Sequence, residues 1–212
     1  MRDTVIKRML EDKFIAIIRG MDEDKILPLA EALYNGGFRF IEVTFNLREP
    51  ENYSQTARSI ETIAKRFGTD VIAGAGTVVT PEMVDIAADA GALYIVSPNT
   101  DTDVIRRTIQ RELVSVPGAL SASECMIAHN AGADFIKLFP TGSMGTGYLK
   151  SLKAPLSHLR FVATGGIDEK NFKEYLQAGA VCIGVGGNLI NKEWIAAGEF
   201  NKITDLAKQY TE

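Results

Sequence analysis

Phe135-Ile136-Lys137-Leu138-Phe139-Pro140 is a short apolar run interrupted by one charge and closed by proline. A run this short, aromatic and aliphatic, with glycines following the proline, reads as a buried strand. Similar runs recur at residues 14–18, 38–43, 71–75, 93–96, 113–116, 135–138, 161–163 and 181–185, which makes eight strands. The intervening segments carry helix start signals at Thr80-Pro81-Glu82, Ser121 to Glu124 and Asp168-Glu169. They carry stop signals at Asn35-Gly36-Gly37, Ala90-Gly91, Ala131-Gly132 and Ala178-Gly179. Strict strand-helix alternation predicts parallel strands with right-handed crossovers, and eight such units in this length predict an α/β fold of the (β/α)8 TIM-barrel type. Residues 2–12 read as an extra N-terminal helix beneath the barrel, and residues 141–148, with three glycines, read as the weakest unit, delaying its helix.

The composition sets outer limits. With 212 residues and no linker-like stretch, the chain is expected to be a single domain over 1–212. Hydrophobic content of 46%, charge of 24% and a net charge of -4 describe an ordinary globular protein without the basic footprint of a nucleic-acid binder. Residues 1–13 alternate charge and apolarity and resemble neither a leader nor a membrane span, so a cytoplasmic location is expected. Cys125 and Cys182 read as buried small hydrophobes. His129 and His158 have no companions at metal-ligand spacing, so neither a metal nor a cofactor is expected. Asp22, Glu23 and Asp24 read as the solvated first turn of a helix, and Trp194 as a packing residue.

Against strands apolar on both faces, polar residues stand out at their C-terminal ends: Arg19, Glu42, Thr44, Thr77, Ser97, Asn99, Lys137 and Thr164. Barrels of this type carry their chemistry at that rim. A free lysine is only about 0.04% neutral near pH 7, whereas lowering its pKa by about 3 raises the neutral fraction to roughly 30%. Such an amine attacks ketones to form a Schiff base. Glu42, equally isolated in Phe40-Ile41-Glu42-Val43, offers a carboxylate to move protons. The plain alternative is a buried Glu-Lys ion pair kept for structure, and from these two residues alone both readings stand.

Two glycine clusters, Thr164-Gly165-Gly166 and Gly184-Val185-Gly186-Gly187-Asn188, follow the seventh and eighth runs, each expected to lead into a helix. Bare N–H groups in those two loops are where such barrels hold phosphate, which points to a phosphorylated small molecule. Gly74-Ala75-Gly76-Thr77 lacks the third glycine of a dinucleotide fingerprint. Arg19, ending the first run, is suited to a substrate carboxylate, although pairing with a helix on the surface is the simpler role.

Phe40-Ile41-Glu42-Val43-Thr44, Gly74-Ala75-Gly76-Thr77-Val78, Ile95-Val96-Ser97-Pro98, Phe135 to Pro140, Ala163-Thr164-Gly165-Gly166-Ile167 and Ile183-Gly184-Val185-Gly186 together resemble the 2-keto-3-deoxy-6-phosphogluconate (KDPG) and 4-hydroxy-2-oxoglutarate aldolase family over nearly the whole chain. The resemblance implies a metal-free class I aldolase, usually a homotrimer, that cleaves a 2-keto-3-deoxy-6-phospho sugar acid to pyruvate and D-glyceraldehyde 3-phosphate. It implies Lys137 as the Schiff-base lysine and Glu42 as general acid/base. Thr77 and Pro98 then line the pyruvate pocket, with Thr164, Gly165, Gly166, Gly186, Gly187 and Asn188 near substrate and phosphate. Two positions depart from the commonest pattern. Asn46 stands where some members carry arginine, while Arg19 matches members, including ones acting on the galactonate epimer, with an arginine ending the first strand. Gly187 and Asn188 replace a phosphate-loop serine. The rival readings are a 4-hydroxy-2-oxoglutarate aldolase giving pyruvate and glyoxylate, a phosphate-binding barrel isomerase or synthase without a Schiff base, and a catalytically idle sugar-phosphate binder.

Overall fold

Parallel pairing carries the chain around a circuit. β1 (Phe14–Ile18) pairs with β2 (Phe40–Thr44) on one side and with β9 (Cys182–Val185) on the other. The order continues from β2 through β3 (Ile72–Gly76) and β4 (Tyr94–Val96) to β5 (Val114–Val116), and from β9 through β8 (Phe161–Thr164) and β7 (Ile136–Leu138) to β6 (Gly118–Ala119). The computed structural model, which describes residues 1–212, is therefore the expected (β/α)8 barrel with its fifth strand divided. Pro117 makes the division because it has no N–H to give the ladder. Its carbonyl still accepts from the Lys137 amide at 2.9 Å, and the Ser115 carbonyl accepts from the Phe135 amide at 3.2 Å, so the two pieces hold the seam to β7.

The helices follow the stop signals closely. α1 (Arg2–Asp12) is the extra N-terminal helix, α2 (Glu23–Asn35) begins at Asp22 with Glu23 and Asp24 in its first turn, and α3 (Tyr53–Phe67) follows a short 3-10 turn. α4 (Pro81–Asp89) and α5 (Thr102–Gln110) come next, and α6 (Ala122–Asn130) opens on a capping box between Ser121 and Glu124. Three expectations need correction. α7 (Thr141–Lys153) starts directly after Pro140, and its glycines kink it at Gly145 (φ 75°) without delaying its start. α8 (Phe172–Gln177) begins beyond Asp168, whose Oδ1 instead accepts from the Lys170 and Asn171 amides in a turn. After β9 a turn intervenes before α9 (Lys192–Ala196), so the Gly186-Gly187 cluster does not open a helix directly. α10 (Phe200–Thr211) packs on α2, where Thr204 and Thr211 hydroxyls donate to the Ala32 and Gly36 carbonyls at 3.0 and 2.8 Å. No helix is long and apolar enough to cross a membrane.

Alternation within the strands divides the buried apolar residues into two bodies. The larger lies between sheet and helices, and the smaller fills the barrel: Ile15, Phe40, Ile72, Tyr94, Val114, Phe135, Val162 and Cys182 with their neighbours. Val5 and Met9 of α1 join the interior body, so the helix stoppers one end of the barrel. Two residues further along the same inward faces, Glu42 follows Phe40, Lys137 follows Phe135 and Thr164 follows Val162, all buried. The polar layer rests on an apolar floor.

Ser121→Ala removes the hydroxyl that accepts from the Glu124 amide at 3.2 Å. The expected result is a loss of about 1 kcal/mol, read as a fall of about 2–4 °C in Tm with catalysis untouched.

Candidate active site

Lys137 sits at the centre of β7, between partners Gly118 on β6 and Val162 on β8, with only 7% of its surface exposed. Its ammonium lies 5.1 Å from the centroid of the Phe139 ring. Burial lowers its pKa, the Arg19 cation lowers it further, and the Glu42 carboxylate opposes both. Burial raises the Glu42 pKa against the attraction of Lys137 and Arg19. Each shift favours the uncharged form, which a nucleophilic amine needs, and which leaves the carboxyl able both to give a proton and, once ionised, to take one.

Glu42 is deeper than a rim residue. It is 2% exposed, its Oε1 has no protein hydrogen-bond partner, and it lies below the residues that line the neighbouring cleft. Space for its carboxyl comes from β3, where a Cβ on Gly76 would stand 1.8 Å from that oxygen. The glycine thus replaces a side chain with a carboxylate from the next strand. Gly74, the register partner of Glu42, makes equivalent room for the Tyr94 ring, 2.3 Å from its ideal Cβ.

Above this layer opens a cleft of about 510 Å³ whose lining includes Lys137, Arg19, Thr77, Pro98, Thr164 and both glycine loops. The structure therefore gathers Lys137, Arg19, Thr77, Pro98, Thr164 and the residues of both glycine loops around one cleft, with Glu42 just beneath, whereas Thr44, Ser97 and Asn99 do not line it. Arg19 leaves the end of β1 and reaches across the mouth, its Nη2 3.5 Å from the Thr77 hydroxyl. Thr77 adopts φ 60°, a left-handed conformation costly for a β-branched residue and therefore concentrated where function demands it. Gly165 and Gly166 require φ of 92° and 74°, and a Cβ on Gly142 would meet the Gly165 carbonyl at 2.7 Å.

The glycine loops are braced from behind. The Gly165 carbonyl accepts from the Gly142 amide at 2.7 Å, and the Gly166 carbonyl accepts from the Asn171 side chain at 3.1 Å. Asn188 donates from Nδ2 to the Ile167 carbonyl at 2.9 Å, tying the loop after β9 to the loop after β8. Half of its amide is thus committed to holding the loops together.

Sequence reasoning quoted Gly74, Gly76 and Phe139 within the motifs of the resemblance but gave them no role, whereas Gly76 makes room for Glu42 and Phe139 forms an aromatic wall of the cleft. The missing signal was register, since two glycines at alternate positions beside an inward glutamate mark the room it needs. A second cleft of about 550 Å³ shares Arg19 and Thr77 with the first and runs along β2 past Thr44, Asn46 and Arg48. Asn46 Oδ1 accepts from the Arg48 amide at 3.1 Å, turning the chain there.

Gly76→Ala is expected to fold, because the backbone there is available to alanine, but to push the Glu42 carboxyl out of place. Turnover should fall by at least about tenfold with the melting temperature changed far less; circular dichroism and steady-state rates check both.

The family model for KDPG and KHG aldolase matches residues 5–206. The 2-dehydro-3-deoxy-6-phosphogalactonate aldolase of Escherichia coli (strain K12) is 37% identical over 176 residues, covering 82% of this chain and 83% of its own. The 2-dehydro-3-deoxy-phosphogluconate aldolase of Treponema pallidum (strain Nichols) is 33% identical over 209 residues, covering 97% and 95%. Among solved structures, KDPG aldolase from Legionella pneumophila, with pyruvate captured at low pH as a covalent carbinolamine intermediate, superposes with a TM-score of 0.85 at 32% identity over 94% of each chain.

Proposed function

The chain belongs to the KDPG and KHG aldolase family, and we propose that it is a class I aldolase cleaving a 2-keto-3-deoxy-6-phospho sugar acid, the galactonate epimer foremost, into pyruvate and D-glyceraldehyde 3-phosphate. The observation that carries the reading is a buried lysine, its pKa lowered by desolvation, beside an equally buried glutamate at the floor of a glycine-rimmed cleft. Support for the galactonate epimer comes from Arg19 at the end of β1 with Asn46 on the β2 side, and from the likeness to the Escherichia coli enzyme of that name.

In this mechanism the neutral Nζ of Lys137 attacks the C2 ketone and gives a carbinolamine, which loses water to form a protonated imine. Glu42 relays the protons of dehydration and then takes the proton of the C4 hydroxyl. The C3–C4 bond breaks, its electron pair enters the imine as an enamine, and C4 departs as the aldehyde. Protonation at C3 and hydrolysis of the imine release pyruvate and regenerate the amine. Arg19 holds the carboxylate, Thr77 and Pro98 enclose the pyruvate half, and the Gly165-Gly166 and Gly186-Gly187 N–H groups receive the phosphate with Thr164 at their base. The reaction is assigned to one folding unit over residues 1–212, assembled as a homotrimer and working in the cytoplasm without a cofactor.

Pyruvate with borohydride should attach irreversibly at Lys137, located by peptide mass mapping. An enzyme that stays active and unlabelled returns the site to a barrel isomerase or synthase. Lys137→Ala should abolish turnover in a folded protein, and Glu42→Gln should lower it by about 10²–10⁴. Cleavage rates for the two phosphorylated epimers and for 4-hydroxy-2-oxoglutarate, measured side by side, should rank the galactonate compound first; equal or reversed ranking removes the epimer assignment.

A further inference from the structure

Three inward side chains of the barrel carry a buried oxygen with no protein hydrogen-bond partner, Glu42 Oε1 and Thr44 Oγ1 on β2 and the Tyr94 hydroxyl on β4, and of these Glu42 and Tyr94 are accommodated by glycines of β3. Tyr94 has no exposed surface, and an orphaned phenol at that depth is costly, so such groups normally have a partner. The two lean on the same strand. The end of the Tyr94 ring occupies the space a Gly74 side chain would take, with Cζ 2.3 Å from the ideal Cβ, and the Glu42 carboxyl occupies that of Gly76. Inward positions two residues apart on a strand are separated by about 6.6 Å, which sets the scale between the two glycine sites that the ring end and the carboxyl occupy. They are not in direct hydrogen-bond contact, since neither has a partner. Two buried, unpartnered polar groups leaning on neighbouring inward positions of one strand are the minimum for holding one buried water between them.

We propose that Tyr94 is a positioning residue for Glu42: its hydroxyl donates through one buried water to the Glu42 carboxylate, holding it in its charged form and in the orientation needed to take a substrate proton. The inference rests on the reading of Glu42 as the proton carrier. The groups facing the pair are few. The Glu42 carboxyl feels the charges of Lys137 on β7 and Arg19 at the end of β1, and the Tyr94 phenol on β4 feels Glu42 and the Cys182 thiol of β9. Cys182 is itself buried and held protonated by desolvation, so it does not compete as a charged acceptor. A donor to the charged carboxylate lowers the Glu42 pKa and thereby offsets part of the rise that burial imposes.

Tyr94→Phe keeps the ring against Gly74 and Phe40 and deletes the hydroxyl alone. The expected result is an acid limb of the kcat profile moved to higher pH, kcat lower by about 3- to 10-fold at the parent's optimum, and KM little changed. In a Glu42→Gln background the same change should have no further effect on kcat. Site-specific 3-fluorotyrosine at position 94, a stronger donor, should move the acid limb the other way, and it preserves the test if the phenylalanine variant does not fold. A Tyr94→Phe or fluorotyrosine profile superimposable on the parent's, or an undiminished Tyr94→Phe effect in the Glu42→Gln background, overturns the proposal. Pyruvate-borohydride labelling of the parent protein separates the two levels: labelling at Lys137 with an unmoved profile overturns only the role of Tyr94, whereas absence of labelling overturns the aldolase mechanism and this inference with it.

Discussion

Everything at the mouth of this barrel depends on placing an amine and a carboxyl together where water is scarce. Desolvation is the leading influence on both Lys137 and Glu42, and it acts in opposite directions on their pKa values while favouring the neutral form of each. Their mutual attraction works against that tendency. A fully formed ion pair would leave the lysine protonated and unable to attack, so the depth of burial, with the nearby Arg19 cation disfavouring a second positive charge, determines whether the pair is chemistry or structure.

That burial is possible because the strands alternate between a filled floor and a functional upper layer. Phe40, Phe135 and Val162 supply the apolar layer, and Glu42, Lys137 and Thr164 follow them two residues later. Glycine on β3 then provides what a packed barrel otherwise denies, room for a carboxyl and a phenol inside the circle. The phosphate side of the cleft uses glycine differently. There Gly165 and Gly166 adopt left-handed backbone and have their carbonyls tied behind the loop, which leaves the geometry set before a ligand arrives.

Most of this architecture is legible in the chain itself. The eight apolar runs, the glycine stops and the lone charges at Glu42 and Lys137 reveal the barrel and the centre of the site because they obey short periodicities. The start of α8 was misplaced because Asp168 closes a turn with the same side-chain chemistry that caps helices. The division of the fifth strand at Pro117 and the early start of α7 depend on tertiary pairing, which overrides local propensity. Glu42's depth, the accommodation at Gly76 and the bracing by Asn188 arise from contacts between strands distant in sequence, which no local pattern records.

The stopper formed by α1 has a bearing on traffic. With Val5 and Met9 plugging the far end and aromatic rings filling the bore, the tube is a cul-de-sac. Any molecule reaching Lys137 arrives and departs by the same doorway, past Arg19 and the glycine loops. A fragment fastened to the lysine at the blind end must therefore leave last, after whatever lies between it and solvent has moved away.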